Sequence, residues 1–529
     1  MEHLTRRLFK GASSRRVAWS TLPVFLVVLA MLFSACGSGG NTTTTKGGAL
    51  RVGLAADLST LDPLKSSSFY DRQVMLNIYD TLVRVDEKNS VQPDLATAWT
   101  YPTPTELDFT LRTDVKFQDG TPFNADAVVF NINRILNTPS SPRLSEISTV
   151  KDVAAIDASH VRFDLKSAFA PLLLTLTDRA GMMLSPTAVQ QLGDTALATT
   201  PTNAGSGPFM FKEWVKGDHL TVLRNPHYWQ KDSQGVALPY LSSVTYRPIT
   251  DGTVEFTNLQ TGNIDVSDGV SPDLVAQAKA NPDLIYRQQA SLSFGGFELN
   301  TKSPPLDNAF VRQAIAFGVN RDEILNTVLK GVGVIAQGPL SPGSWAFDNS
   351  FAPYTYDVNK AKAALQQSGL SNVSFTLLIA SGSPLNTQEA QFIQSELQPV
   401  GITVNIKEEV FATILTDTAA FNYQAALVGW SGRPDPDGNT YSWFHTGGGL
   451  NDMQYSNTQV DSLLEDGRAS SDQSKRAQDY IQAQQLILAD SPYIFINHGV
   501  AVQASSKKVQ NFLLLPTGIM EFLSVYVSS

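Results

Sequence analysis

Between Gly429 and Phe444 the chain reads GWSGRPDPDGNTYSWF, setting Trp430, Tyr441, Trp443 and Phe444 among Arg433, Asp435 and Asp437. Aromatic faces beside fixed charges can hold and orient a small polar molecule, but they supply no nucleophile. The stretch follows an apolar run, Tyr423 to Val428, that reads as a strand. Its two prolines and three glycines predict an irregular loop. Such a loop at a strand end describes a pocket wall, and equally a surface loop whose aromatics pack down on the core.

Catalytic spacings are absent elsewhere. The six histidines, at 3, 160, 219, 227, 445 and 498, form no HxH or HExxH pattern, so no dedicated metal site is expected. There is no GxSxG elbow and no phosphate-binding loop. SxxK occurs at Ser148/Lys151 and Ser505/Lys508 without its SDN or KTG companions. The one cysteine, Cys36, excludes an intrachain disulfide, a thiolate cluster and a Cys–His pair. The expectation is therefore a binding protein with no catalytic residue, no cofactor and no metal.

The elements that position these residues belong to a large globular body. At 529 residues the chain exceeds what one core can serve, and 42% hydrophobic with 17% charged residues is an ordinary globular composition. The net charge is −10. Outside the first 35 residues it is −14, from 34 basic and 48 acidic residues. So acidic a body repels phosphate backbones, which argues against nucleic acid as a partner.

Residues 1–16 are basic, and an uncharged stretch from Val17 to Thr45 has its apolar centre at Val24–Phe33. A basic segment, an apolar segment and small residues before a cut form an export signal. Phe33-Ser34-Ala35-Cys36-Gly37 resembles a bacterial lipoprotein lipobox, with Phe33 where Leu is usual. The resemblance implies a signal peptide over 1–35, lipid on Cys36, and a flexible tether over 36–47 that holds the body outside the cytoplasmic membrane. Thr5 to Lys10 also resembles a twin-arginine export motif, and equally an ordinary basic leader.

In the body, Ala49–Leu54 reads as a strand and Asp71–Val85 as a helix with Asp71 as its cap. Leu107–Arg112 and Val115–Phe117 read as strands, and Asn124–Leu136 as a capped helix. Further helices are expected over Val311–Leu329, Val358–Gln367, Thr387–Leu397, Asp461–Leu464 and Gln473–Ala489. Strands are expected over Phe375–Ile379, Ile402–Ile406 and Tyr493–Asn497. This alternation predicts an α/β fold with mostly parallel sheets, where ligands sit beyond the C-terminal ends of the strands.

Several blocks resemble solute-binding protein family 5, the peptide- and nickel-type binding proteins of ABC importers. They are PDLATAW, FTLRTDVKFQDGTPFNADAVVF, GSGPFMFKEW with LRNPHYW, ELNTKSPPLDNAFVRQAIAFGVNRDEIL from Glu298, YDVNKAKAALQQSGL from Tyr356 and IQSELQPVGITVNI from Ile393. The resemblance runs in register from about Leu50 to the C-terminus. It implies the two-lobe periplasmic-binding-protein-like fold of the large cluster C type, with a ligand cleft between α/β lobes and an extra N-terminal subdomain. Lobe one would be 48–80, 200–297 and 496–529, the extra subdomain 81–199, and lobe two 298–495. The chain would cross between lobes near Asn300 and near Asn497, forming a hinge.

By the same resemblance Trp430 lines the cleft. Dipeptide binders of this family carry an acidic residue shortly after that Trp for the ligand's ammonium. Here the turn reads Ser431-Gly432-Arg433, two residues shorter before Asp435-Pro436. They also carry an arginine for the ligand carboxylate one strand upstream, where this chain has the neutral Ser381-Gly382-Ser383-Pro384-Leu385. Arg433 has three readings: contact with an electron-rich ligand, an ion pair with Asp435 or Asp437, or a solvated surface charge. Phe69 and Tyr70, in a lobe-one loop, and Phe294 and Phe297, on the strand entering lobe two, are candidate pocket residues or core. Asn451 is a candidate ligand donor or a residue closing its own loop, and Asp435 a cleft residue that organises the turn.

The implied function is an extracytoplasmic receptor that captures a peptide-like solute by hinge closure and delivers it to the transmembrane subunits of an ABC permease. A monomer is expected. The alternatives are a sensing receptor for a signalling partner, or a binder of oligosaccharide or metal chelate with the same fold.

Overall fold

The computed structural model describes residues 46–528; the leader, Cys36 and most of the tether lie outside the described residues. Three sheets organise the body. Seven strands run in the order Leu284–Ala290, Val500–Ser506, Val266–Ser267, Ala49–Leu54, Ser243–Pro248, His219–Arg224 and Phe209–Val215. Six others run Val334–Ile335, Tyr493–His498, Gly295–Leu299, Ala425–Leu427, Val373–Ala380 and Ile402–Glu409. The third sheet joins Ala96–Thr103, Glu106–Leu111, His160–Leu165 and Val150–Asp157 as four antiparallel strands, two hairpins side by side, backed by the helix Ala125–Leu136.

The two large sheets are mixed rather than mostly parallel. Ala49–Leu54 is parallel to both its neighbours, and so is Val373–Ala380; the other pairings are antiparallel. Antiparallel neighbours need only a short turn, and the hairpin Phe209–Arg224 adds two such strands without a crossover helix.

Two adjacent strands carry the chain between the large sheets. Leu284–Ala290 pairs with Val500–Ser506 as far as Ala290 opposite Val500, and Gly295–Leu299 pairs with Tyr493–His498 from Gly295 opposite Asn497. The crossings therefore fall at residues 291–294 and 498–500. Asn300, expected near the first crossing, lies at the far end of its strand and donates to the carbonyl of Tyr423 at 3.1 Å.

Cores follow the sheets. Leu50, Val52, Val244 and Phe209 anchor the first, and the C-terminal Phe512, Met520 and Phe522 return to it. Ala188 and Leu197, on the helix Pro186–Thr199, also pack into this core and not against the four-stranded sheet, although the extra subdomain was expected to run to 199. Phe297, Val311, Phe375 and Ile393 centre the core of the six-stranded sheet. Each such side chain stabilises its core by roughly 1.5–3 kcal/mol.

Helix ends differ from the sequence reading for local reasons. The first helix spans Phe69–Ile78, capped by the Ser68 hydroxyl, which accepts from the Tyr70 amide. Asp71 instead accepts from the Ser59 amide and hydroxyl and from the Ser66 hydroxyl. The expected helix over Val311–Leu329 breaks after Gly318, where Asn320 caps a new turn by accepting from the Glu323 amide.

Candidate functional site

A cleft of ≈ 900 Å³ separates the two large sheets. Its walls come from the ends of parallel strands. Ala55 follows Ala49–Leu54, Thr250 follows Ser243–Pro248, and Asp268 follows Val266–Ser267. From the other lobe, Ser381 follows Val373–Ala380, Phe411 follows Ile402–Glu409, and Trp430 follows Ala425–Leu427. All six strands in parallel pairs thus present their C-terminal ends to one space, as the α/β rule requires.

Trp430 is fixed on three sides. Its amide donates to the Phe294 carbonyl at 2.8 Å and its carbonyl accepts from the Phe294 amide at 3.1 Å. The indole Nε1 donates to Asn439 Oδ1 at 2.9 Å, and the Arg433 guanidinium lies 4.1 Å from the ring centroid. Gly432 turns the chain just beyond, with φ +83°. A Cβ there would lie 2.3 Å from the Leu292 carbonyl, so only glycine fits.

The rest of the aromatic stretch turns away from the cleft. Asp437–Phe444, expected as irregular loop, is a two-turn helix whose start is organised by Asp435 Oδ1 accepting the Asp437 amide at 2.9 Å. Proline before and at a helix start is compatible with its first turn, which explains why Pro434 and Pro436 do not prevent it. The helix directs Trp443 and Phe444 into the core, where Trp443 meets Phe294 edge-on at 5.4 Å.

Phe69 and Tyr70, at the start of the first helix, line the cleft from lobe one. Tyr70 meets Phe411 of lobe two edge-to-face at 5.9 Å, so the lobes already touch across the cleft. Phe294 borders the cleft, but its ring is buried among Trp443, Tyr493 and Phe495.

Four expected site residues lie elsewhere. Phe297 is wholly buried in the lobe-two core, because its strand is covered on both faces, with Glu298 and Leu299 beside it buried as well. Asn451 closes its own loop: it donates to the carbonyls of His445 and Tyr455 and accepts from the Tyr455 amide. Asp435 pairs with Arg476 at 2.6 Å. Arg433 does not line the cleft. Its Nε lies 2.9 Å from Asp178 of the extra subdomain, not against Asp435 or Asp437, which Arg476 and Arg468 already occupy.

Losing Arg433 changes the polarity of the site. The charged residues lining the cleft are Asp57, Asp268 and Glu389, with Lys216 as the one cation among them. Asp57 accepts from the Trp214 indole and the Gly217 amide, and Asp268 from the Ala55 amide. Glu389 sits 8% exposed on the helix Pro384–Leu397, and burial pushes its carboxyl up to about 7. Burial likewise raises Asp268. Sequence reading missed Phe411, Asp268 and Glu389. Phe411 carried a usable signal, an aromatic directly after a strand like Trp430, whereas Glu389 looked like any polar residue of an amphipathic helix. Among the described residues no group of three or more His, Cys, Asp or Glu is placed to hold a metal ion, and no helix is long and apolar enough to cross a membrane.

The fold matches known proteins over nearly the whole body. The chain is 31% identical to the probable D,D-dipeptide-binding periplasmic protein DdpA of Escherichia coli K12, over 88% of this chain and 92% of that protein. It is 28% identical to the glutathione-binding protein GsiB of Pectobacterium atrosepticum, over 89% and 92%. The solved structure of the periplasmic binding protein DppA from Helicobacter pylori, in complex with peptide STSA, superposes with a TM-score of 0.85 at 28% identity, covering 92% of this chain and 99% of that one. Those neighbours share the two-lobe fold. Residues 90–451 match the model of the bacterial extracellular solute-binding proteins, family 5, and the chain belongs to that family.

Proposed function

We propose that this chain is the extracytoplasmic receptor of an ABC importer, and that it encloses a peptide-like polar solute between its lobes and passes it to the permease. One observation carries the reading: both lobes contribute strand ends to a single cleft of ≈ 900 Å³, near the top of the size range of small-molecule pockets. Relatives of this family bind dipeptides, glutathione and a tetrapeptide, which are solutes of that size class.

In this reading Trp430, Phe69, Tyr70 and Phe411 supply the flat apolar walls, and Phe294 holds Trp430 through its backbone. Asp268 and Glu389 stand ready for the ligand's ammonium. A cation arriving beside a carboxyl raised by burial draws it back to the charged form and replaces lost water with an ion pair. Closure uses the strand crossings at 291–294 and 498–500 as hinges, so that lobe two runs over 295–497 and the helix Pro186–Thr199 moves with lobe one rather than with the extra subdomain. The protein makes and breaks no covalent bond on its solute. After the leader is removed, lipid on Cys36 and the tether over 36–47 hold the body at the outer face of the cytoplasmic membrane.

The test is mass spectrometry of the solute retained by the native protein, followed by calorimetry with peptides of two to six residues. A bound peptide, with micromolar or tighter affinity that acetylating its amino group abolishes, is the expected result. A sugar or chelate in the cleft, with no heat from any peptide, would overturn the reading.

A further inference from the structure

Behind Trp430 four arginines converge on two carboxylates. Arg72 comes from the first helix of lobe one, Arg143 and Glu146 from the short helix Pro142–Glu146, Asp178 and Arg179 from the turn ending at Gly181, and Arg433 from lobe two. All four guanidiniums are buried. Asp178 Oδ2 lies 2.8 Å from Arg72 Nε and 2.9 Å from Arg433 Nε, and Glu146 takes Arg143 Nη1.

Two carboxylates cannot satisfy four guanidiniums. Arg72 Nε and Nη1, Arg143 Nε and Nη2, Arg179 Nε and Arg433 Nη2 have no hydrogen-bond partner, and Asp178 Oδ2, although close to two of these side chains, accepts no aligned bond; Arg179 Nη1 is well served, donating to Ser66 and Ser68. Burial and the neighbouring cations lower Arg72, and burial lowers Arg433 to about 9 and Arg143 to about 10. The same guanidiniums hold Asp178 well below the usual carboxylate range, against the effect of its own burial. Elsewhere in the same interface the count balances: Arg468 pairs with Asp437 at 2.8 Å and Arg476 with Asp435.

There is room for the missing charge. A cavity of ≈ 70 Å³ is lined by Arg72, Asp178 and Arg433, and a second of ≈ 30 Å³, also touching Asp178 and Arg433, by Glu146. A water needs about 10–15 Å³ measured this way, so the larger space holds an anion of a few heavy atoms. The same cavity is also lined by Arg84 and by Asp80, Asp94 and Glu521, and burial raises all three carboxyls, which lessens the negative charge they present there.

We propose that this junction is an anion site that takes a chloride- or carboxylate-sized group between Arg72 of lobe one and Arg433 of lobe two. Because Arg433 reaches the other three arginines only when the lobes meet, the anion stabilises the closed form. The buried excess of positive charge demands a counter-charge that the chain does not supply. Two sources share this chemistry: a free small anion, and a carboxylate borne by the solute.

The experiment measures thermal unfolding of the ligand-free protein in chloride, acetate and gluconate at equal ionic strength, gluconate being too large for the cavity. A free-anion site raises the midpoint by about 3 °C in chloride or acetate, saturating at millimolar salt. Arg433→Met abolishes the difference, while Arg433→Lys keeps part of it. If the three salts agree, a tetrapeptide is titrated against its C-terminal amide. A loss of tenfold or more for the amide, absent in Arg433→Met, assigns the site to the solute's carboxylate. Equal midpoints in all salts together with equal affinities of acid and amide overturn the proposal, and wild-type protein alone decides that outcome.

Discussion

Trp430 and Arg433 are three residues apart and serve opposite environments. Trp430 faces a space of ≈ 900 Å³ whose lining holds four charged residues in all. Arg433 faces cavities of ≈ 70 and ≈ 30 Å³ in a junction where charge is dense and water scarce. The cleft keeps its carboxyls ready for a partner that arrives from outside. The junction ties three parts of the chain together and leaves several guanidinium nitrogens unpartnered among them. Charge density beside a binding-site tryptophan therefore marks the joint between lobes, while the sparsely charged wall marks the place for the solute.

The contrast breaks first at Asp178. It is the shared partner of Arg72 and Arg433, so Asp178→Ala leaves four buried guanidiniums facing Glu146 alone. Removing one member of a buried ionic group costs about 3–5 kcal/mol. Urea unfolding should show a loss of that size, and a change below about 1 kcal/mol would mean the junction is open to water.

The cleft predicts a smaller effect with a definite sign. Glu389 is raised from its ordinary value to about 7 by burial. The folded form therefore holds a proton that the unfolded chain releases, and stability falls as pH rises from about 4.5 to about 7. The full shift bounds the effect at about 3 kcal/mol. Glu389→Gln should flatten the unfolding midpoint over that window in the ligand-free protein. A bound cationic solute should flatten it too, by keeping Glu389 charged; parallel profiles for wild type and variant would remove Glu389 from the cleft's charge balance.

Trp430→Ala tests the wall itself. Its backbone bonds to Phe294 remain in the variant, and Asn439 Oδ1 keeps the Arg433 amide when the indole is removed, so folding should survive. Truncating a central aromatic of a binding site costs about 2 kcal/mol, or roughly thirtyfold in affinity. Calorimetry with the retained solute reads this directly, and an unchanged affinity would place the solute away from Trp430.

Much of this architecture was legible in the sequence. The strands Ala49–Leu54 and Tyr493–His498 and the helix capped by Asn124 follow from apolar period and cap chemistry. Trp430 and the Phe69–Tyr70 pair fall where a strand end and a helix start point them. What stayed hidden depends on partners remote in sequence. Arg433 finds Asp178, some 250 residues away, and no local spacing encodes that pairing. The helix Asp437–Phe444 was masked by two prolines that sit at its start, where proline is tolerated, and not in its middle. Phe297 lies within the strand Gly295–Leu299 and Phe294 just before it; both rings are buried, and only Phe294, which bridges to Trp430 outside the strand, also borders the cleft.

The smallest expected effect is also the sharpest test of the comparison. Arg433→Met removes a charge from a junction that holds too many of one sign. Asp178 keeps Arg72 at 2.8 Å, and Arg179 and Arg143 lose a repulsive neighbour. The methionine chain retains much of the apolar stem beside Gly438, while the guanidinium contact with the Trp430 ring is lost. Loss of the pair and relief of repulsion should nearly cancel, leaving a change within about 1 kcal/mol in urea unfolding at low salt. Asp178→Ala and Arg433→Met remove opposite halves of one ion pair, so a simple salt bridge would make them equally costly. A junction with excess positive charge makes the aspartate several times more costly than the arginine, and equal losses would show that the excess is already neutralised within the chain.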